Sequence, residues 1–289
     1  MVSVRSVIFA GAIAFISTAA YAADMGLPPP PIAYQPVAAP PVGGWYLRGD
    51  VGVGVQTFSE FDHSQTNSVF VWPPSWTIVQ QDMQDAAIFG LGVGYEVNNW
   101  LRFDVTGEYR TKSMFKVTGS YTDFCGGGVC FDVNTGNFSA AVFMANAYID
   151  LGTWWCITPY IGAGVGGAWD RVTGVQDNGI ISNGSVGFGY TNGDASNVNL
   201  AWNVQAGLTY NVNNNLKVDF SWRYLNMGSP QTAVVNCQNT PACPGAFYTL
   251  KDMTSQDFRI GLRWMFQPEV TPAVMPLPQY APPPLTSRG

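Results

Sequence analysis

The chain contains one histidine, His63, and it stands next to Ser64. A Ser-His pair suggests hydrolase chemistry, in which the imidazole accepts the proton of the attacking hydroxyl. That chemistry requires a third group that orients the base, and no such constellation can be assembled from the residues around His63. The pattern therefore favours a polar loop. The sequence predicts no enzyme, no catalytic residue, no cofactor and no metal site.

The cysteines are the second set of reactive side chains: Cys125, Cys130, Cys156, Cys237 and Cys243. The two close pairs, 125 with 130 and 237 with 243, lack the spacing and the histidines of common zinc sites. In an exported chain such pairs favour disulfides, so these four cysteines are disulfide candidates. We expect Cys156 to be a buried thiol in a short turn.

Charged residues recur at every second position, opposite apolar ones. In the segment 101–111, Arg102, Asp104, Glu108 and Arg110 share one face, while leucine, phenylalanine, valine and tyrosine occupy the other. Seven further segments repeat this alternation, which is typical of strands with two different faces. Both signs of charge stand on the polar face, so we expect a network of ion pairs there: Arg48, Asp50, Glu96, Arg102, Asp104, Glu108, Arg110, Asp150, Lys217, Asp219, Arg223, Arg259 and Arg263. The same face is predicted to carry Lys112, Asp170 and Asp257.

The alternating segments must be the strands that position these charges. They cover 45–58, 87–97, 101–111, 143–151, 157–170, 200–210, 216–224 and 257–266. Short connections between these segments alternate with long ones, as in outer-membrane proteins. The long connections cover 59–85, 112–139, 171–197 and 226–256. Aromatic residues cluster at the strand ends, where membrane interfaces lie. The sequence therefore predicts an all-β fold, an eight-stranded antiparallel transmembrane β-barrel with its charged face inward.

Composition is consistent with this fold. Charged residues make up 11 % of the chain, against roughly 25 % in soluble domains. The net charge of −6 argues against a nucleic-acid partner, which would need a basic surface. An eight-stranded barrel is just wide enough for its own side chains, so we expect the charged face to act as a plug. A charged eyelet that passes ions is the alternative.

The two ends of the chain differ from the middle. Residues 1–22 have a basic start, a short apolar run and an A-x-A site, which predicts a secretory signal peptide. Proline-rich segments follow at 23–43 and 267–289, and we expect them to be an extended periplasmic leader and tail around the barrel at 44–266. The first long connection contains an aromatic stretch at 69–76 that could contact another cell or pack within its own loop.

With these strands placed, the chain resembles the opacity/OmpA-like eight-stranded outer-membrane barrels, in particular the porin-family surface antigens of alphaproteobacteria. The resemblance rests on Gly44-Trp45-Tyr46-Leu47-Arg48-Gly49-Asp50, on Thr158-Pro159-Tyr160-Ile161-Gly162, and on the closing Phe258-Arg259-Ile260-Gly261-Leu262-Arg263-Trp264-Met265-Phe266. Such proteins usually finish at the last aromatic of the final strand, whereas here Phe266 is followed by the proline-rich segment.

The resemblance implies a structural and surface-interaction protein of the bacterial outer membrane. Its partners would be outer-membrane lipid, host or cell-surface ligands contacted by the long loops, and peptidoglycan or periplasmic proteins contacted by the tails. A small-solute porin is the alternative function, and a lipid-modifying enzyme is the third.

Overall fold

The computed structural model describes residues 43–65, 73–123, 125–180, 186–191, 193–237 and 245–266. The predicted signal peptide, the predicted tail and all but the last residue of the predicted leader lie outside these ranges. The described residues contain no helix that is long and apolar enough to cross a membrane.

Thirteen strands lie within the described residues: β1 (Gly44–Thr57), β2 (Glu60–Gln65), β3 (Thr77–Met83), β4 (Ala86–Glu96), β5 (Leu101–Tyr121), β6 (Cys130–Asp150), β7 (Ile157–Ile180), β8 (Val186–Thr191), β9 (Ala195–Asn211), β10 (Leu216–Asn226), β11 (Val235–Cys237), β12 (Ala246–Lys251) and β13 (Thr254–Met265). Eight of them close into an antiparallel ring in the order β1-β4-β5-β6-β7-β9-β10-β13, with β13 paired back to β1. The predicted eight-stranded barrel is confirmed.

Alternation along each strand separates the two surfaces of this barrel. On β5, Phe103 and Val105 point outward and are 46 % and 59 % exposed, whereas Arg102 and Asp104 point inward and are 0 % and 4 % exposed. A continuous apolar outer surface around a polar interior is stable only where hydrocarbon covers the outside. A slip of one residue in any strand would turn charges toward that hydrocarbon, so the register is strongly specified.

Aromatic side chains ring the barrel at both ends. Of eight aromatic residues at strand ends, seven are 40–59 % exposed on the outer surface: Trp45, Tyr95, Trp100, Tyr109, Trp169, Tyr210 and Trp264. The eighth, Tyr224, packs against Trp202 with the ring centroids 5.6 Å apart. The amphipathic rings suit the membrane–water interface, so the two girdles mark the borders of the membrane-spanning part.

Asparagine side chains build the two matching short turns. Asn98 Oδ1 accepts hydrogen bonds from the backbone N–H groups of Trp100 and Leu101, and Asn213 Oδ1 accepts them from Asn215 and Leu216. These local bonds explain why asparagine recurs at both turns. The third short connection holds Cys156, whose thiol is exposed. The expectation of a buried thiol was wrong, because all residues of this turn, 151–156, are exposed.

The described parts of the long connections contain strands that the sequence pattern does not predict. β5, β6 and β7 continue well past their predicted ends, and the five additional strands β2, β3, β8, β11 and β12 extend the sheet beyond the ring. β12 pairs with β2, and β3 pairs with β5. Long connections of outer-membrane barrels face the outside, so we call this part the extracellular extension.

An apolar core fills the extracellular extension and the barrel mouth below it. We call this core the apolar cap; its buried members are Phe58, Phe61, Phe115, Val117, Phe138, Ala140, Val142, Met144, Ala168, Val172, Val175, Ala201, Leu225, Met227, Val235, Tyr248, Leu250 and Met253. Trp76, from the predicted aromatic stretch, packs against it. Residues 69–72 of that stretch lie outside the described ranges.

A β-bulge at the top of β5 corrects one predicted orientation. The pairing of β5 with β6 shifts between Arg110 and Ser113, so that Arg110 and Ser113 are both buried while Lys112 is exposed. The prediction that Lys112 faces the lumen was therefore wrong. An extra residue in one strand reverses which face the following side chains occupy.

Candidate functional site in the barrel lumen

At the end of the lumen near the short turns, charged side chains from the three strands β4, β10 and β13 meet. Glu96 on β4 accepts hydrogen bonds from Lys217 Nζ at 2.7 Å and from Arg263 Nη1 at 3.1 Å. Arg263 Nε also lies 2.8 Å from Asp219 Oδ2, and Thr209 donates to Asp219 Oδ1 at 2.6 Å. Each carboxylate of this group thus faces at least one cation.

Arg102 fills the centre of the same level. Its Nε donates to Asp150 Oδ1 at 3.1 Å, and its guanidinium lies between the rings of Tyr148 and Tyr160, 4.0 Å and 4.4 Å from their centroids. Two aromatic faces stabilise a cation by their quadrupoles, most strongly where water is excluded. The buried Arg102 side chain, together with these two edge-on tyrosine rings, therefore fills this level of the lumen.

In the middle of the lumen, Arg48 on β1 holds two carboxylates. Its Nη2 lies 2.6 Å from Asp50 Oδ1, and its Nη1 lies 2.7 Å from Asp104 Oδ2. Asn146 on β6 donates to the other Asp104 oxygen at 2.8 Å, and Tyr148 donates to that same oxygen at 3.2 Å. These bonds cross the barrel interior from β1 to β6.

A four-residue cluster closes the lumen below the apolar cap. Glu108 accepts from Arg223 at 2.6 Å and from Arg110 at 3.2 Å. Asp257 accepts from Arg110 Nη2 at 2.7 Å and from Arg223 Nη2 at 2.5 Å, and the Ser255 hydroxyl donates to it at 2.6 Å. Two guanidinium groups and two carboxylates are thus fully interlinked. Arg259, beside this cluster, donates to Gln205 at 2.7 Å and lies 3.9 Å from Glu108.

The structure brings all thirteen predicted network residues into the lumen, each within 4.0 Å of an oppositely charged side chain. Asp257, predicted on this face but outside the network, is central to it. Sequence reasoning missed the neutral members Tyr46, Tyr148, Tyr160, Asn146, Gln205 and Thr209. They occupy the same alternating positions as the charges, so the position itself was the available signal.

Glycines make room for the long inward side chains. A Cβ atom on Gly54 would lie 2.1 Å from Nη2 of Arg110, and one on Gly94 would lie 2.2 Å from the ring of Tyr46. Glycine in a strand otherwise weakens it, so its presence here follows from the close approach of these side chains.

The ion-pair network of the lumen is charge-balanced. Among the described residues, seven cations and seven carboxylates take part in its ion pairs. Eleven of these side chains are at most 6 % exposed, namely Arg48, Asp50, Arg102, Asp104, Glu108, Arg110, Asp219, Arg223, Asp257, Arg259 and Arg263. Buried charges persist when each is paired and hydrogen-bonded.

The residues considered for catalysis or cross-linking lie outside the lumen. His63, on β2, packs its ring against Trp76 with centroids 6.3 Å apart, and burial lowers the pKa of its imidazole. No group of three His, Cys, Asp or Glu residues within the described ranges could hold a metal ion. Cys125 and Cys130 form a disulfide at the β5–β6 tip, as expected. The pair 237 with 243 lies outside what the structure describes, since residue 243 and the side chain of residue 237 are not included.

A closed antiparallel ring with an apolar outer surface and a paired, buried charged interior defines a bacterial outer-membrane β-barrel protein. The chain belongs to the family described as outer membrane protein beta-barrel domain, whose model matches residues 9–266. The predicted family and the predicted location in the outer membrane are thereby confirmed, and outer-membrane lipid surrounds the barrel.

Three known proteins are similar to this chain. An uncharacterised protein of Brucella suis biovar 1 is 30 % identical over 232 residues, which are 76 % of this chain and 80 % of the relative. The outer membrane protein PagN of Salmonella typhimurium is 33 % identical over 129 residues, 43 % of this chain and 48 % of PagN. Among solved structures, the Neisserial surface protein A has 17 % identity and a TM-score of 0.40, with 77 % of this chain and 97 % of that one covered.

Proposed function

We propose that this protein is a closed structural barrel of the outer membrane whose extracellular extension contacts partners at the cell surface. The filled lumen is the observation that supports a closed barrel. The ion-pair network fills the lumen, and the apolar cap covers the barrel mouth above it. Passage of an ion would require buried pairs to separate without water to replace them, which is costly. Balanced charges of both signs also lack the single-sign ring that selects ions.

Exposed apolar side chains on the outside of the extracellular extension support contact with partners at the cell surface. Phe131 on β6 is the direct Cα partner of Ile180 on β7, and the two are 42 % and 45 % exposed. Phe188 and Tyr190 on the neighbouring β8 are 47 % and 40 % exposed. These four residues form a patch beyond the membrane border, where no hydrocarbon covers them. Contiguous exposed apolar surface of this kind marks interaction sites, and we infer that host or neighbouring-cell ligands bind it.

The proposal assigns no reaction to the protein. Packing of His63 against Trp76 supports a structural role for that imidazole, and the charges of the ion-pair network are occupied with one another. We infer that the proline-rich tails at 23–43 and 267–289 reach peptidoglycan or periplasmic proteins, since extended proline-rich segments act as spacers.

A liposome-swelling assay tests the closed lumen. Proteoliposomes that contain the purified full chain should swell in glycine or arabinose no faster than protein-free liposomes, while a general porin reconstituted at the same density swells rapidly. Swelling at the rate of the porin would overturn the closed barrel and favour the small-solute porin.

An attachment assay tests the apolar patch. Cells that display the double variant Phe131→Ser/Phe188→Ser should bind several-fold less to an epithelial monolayer, or to a layer of their own kind, than cells with the unchanged protein. Cells that display Val79→Ser, a change at an exposed apolar residue of the extracellular extension outside the patch, should bind normally. Equal binding by all three to both layers would refute the surface-contact role.

A further inference from the structure

The outer surface of β5, β6 and β7 contains a groove at the extracellular membrane border. Tyr109, Ala141 and Trp169 are direct Cα partners across these three strands. Two large rings therefore stand on either side of a single methyl group. The resulting cavity has a volume of about 420 Å³, which lies in the range of small-molecule binding sites. We call it the outer groove.

The end of the outer groove that points away from the membrane is polar. Ser139 on β6 is the Cα partner of Arg171 on β7, and Ser139, Arg171, Asp194 and Ser196 all line the cavity. Arg171 Nη2 donates to Asp194 Oδ2 at 2.5 Å. Both side chains of this pair are exposed, by 59 % and 43 %, so the pair is weak and can exchange partners.

The β-bulge of β5 adds a second cation to this polar end. Lys112 lies in the bulge between Arg110, which pairs with Ala140, and Ser113, which pairs with Phe138. It is therefore opposite Ser139, and it is exposed. Lys112 and Arg171 thus stand beside Ser139 on its two neighbouring strands, against the single carboxylate of Asp194. The outer groove is apolar and aromatic within the membrane and carries a net positive charge at the headgroup level.

We propose that the outer groove binds a phosphorylated lipid of the outer leaflet, with an acyl chain between Tyr109 and Trp169 and a phosphate at Lys112 and Arg171. The apolar half faces hydrocarbon, so an amphiphile already in the membrane reaches it without crossing water. Arginine and lysine bind phosphate with strong charge-assisted hydrogen bonds, and the hydroxyls of Ser139 and Ser196 can donate to the same oxygens. Aromatic walls are favourable at this depth.

Asp194 gives the proposal a specific consequence. Its carboxylate occupies Arg171 and repels a phosphate, so it competes with the lipid. Removal of that negative charge should tighten binding, whereas removal of the cations should weaken it. Simple hydrophobic adhesion of bulk lipid would respond to neither change.

Lipid titration of the purified full chain in detergent, followed by native mass spectrometry, tests this. The probe is hexa-acylated lipid A with two phosphates, compared with the same lipid after removal of both phosphates. The unchanged protein should prefer the phosphorylated form. Lys112→Gln/Arg171→Gln should bind it about tenfold more weakly, which is the scale of losing charge-assisted bonds. Asp194→Asn should bind it more tightly than the unchanged protein.

Lys116→Gln is the matched control, because Lys116 is an exposed lysine on the same face of β5, four residues farther from the membrane. It should bind like the unchanged protein, and heat-modified electrophoretic mobility shows that every variant is folded. Millimolar inorganic phosphate should not displace the lipid, since it lacks the acyl chain. Equal binding of both lipid forms, or equal affinity of the double variant and the Lys116 variant, would overturn the proposal.

Discussion

Replacement of Asp257 by alanine should remove the carboxylate that joins two buried guanidinium groups. Arg110 and Arg223 each donate to Asp257 through short contacts, at 2.7 Å and 2.5 Å, and all three side chains are at most 1 % exposed. After the change, both guanidinium groups would face Glu108 alone. One positive charge would then remain buried without a counter-charge.

The expected loss in the free energy of unfolding is about 3–5 kcal/mol, the usual cost of breaking a buried pair on one side. This lowers the folding equilibrium constant by about two to nearly four orders of magnitude. The double variant Arg223→Leu/Asp257→Leu removes one charge of each sign and leaves Glu108 paired with Arg110 at 3.2 Å. It should recover most of the loss, since an apolar pair of similar volume often replaces a buried ion pair at little cost.

Urea titration in lipid vesicles, followed by tryptophan fluorescence, measures these free energies. Glu60→Gln serves as a control, because its contact with Lys251 is exposed and should contribute less than about 1 kcal/mol. The reasoning is refuted if Asp257→Ala costs no more than Glu60→Gln, or if the double variant is less stable than the single one.

Three further predictions concern the extracellular extension. Burial and a hydrogen bond with Asp177 raise the pKa of Asp132 well above its ordinary value. The contribution of Asp132 to the stability of the extension is therefore full below about pH 4 and declines as pH rises toward that raised pKa. Hydrogen exchange of the extension should show this decline, and Asp132→Asn should abolish it. Cys125→Ser removes the disulfide and should destabilise the β5–β6 tip by about 2 kcal/mol. Proteolysis should become faster at the tip and stay unchanged in the barrel. An unchanged rate of cleavage at the tip would contradict this prediction. Phe115→Ala, at a fully buried site, should lower the free energy of unfolding of the extension by about 3–5 kcal/mol, as measured by urea titration. A loss below about 1 kcal/mol would contradict the stabilising role of the apolar cap.

Period-2 alternation made the barrel and the contents of its lumen predictable. Arg102, Asp104, Glu108 and Arg110 stand at alternate positions of one strand, so their common inward direction follows from strand geometry alone. The ion-pair partners of these residues do not follow from strand geometry. Arg110 binds Asp257, 147 residues away, and such a pairing depends on register and ring closure, which no local pattern encodes.

The extracellular extension was not predictable from periodicity. β2 pairs with β12 along Glu60–Gln65, and its residues show no steady alternation of apolar and polar types. Its partner lies far along the chain, so tertiary packing against the apolar cap decides the conformation. The inverted orientation of Lys112 has a similar origin, because a single inserted residue at a bulge leaves almost no mark on composition.

Single-barrel conductance in a planar lipid bilayer tests the closed lumen most directly. The purified full chain, inserted at densities where a general porin gives clear current steps, should produce no steady steps at any applied voltage in 1 M KCl, a salt concentration that weakens only exposed pairs. Reproducible ohmic steps whose size changes in the Arg223→Leu/Asp257→Leu variant would show that ions cross the ion-pair network, and would contradict the account of a sealed barrel.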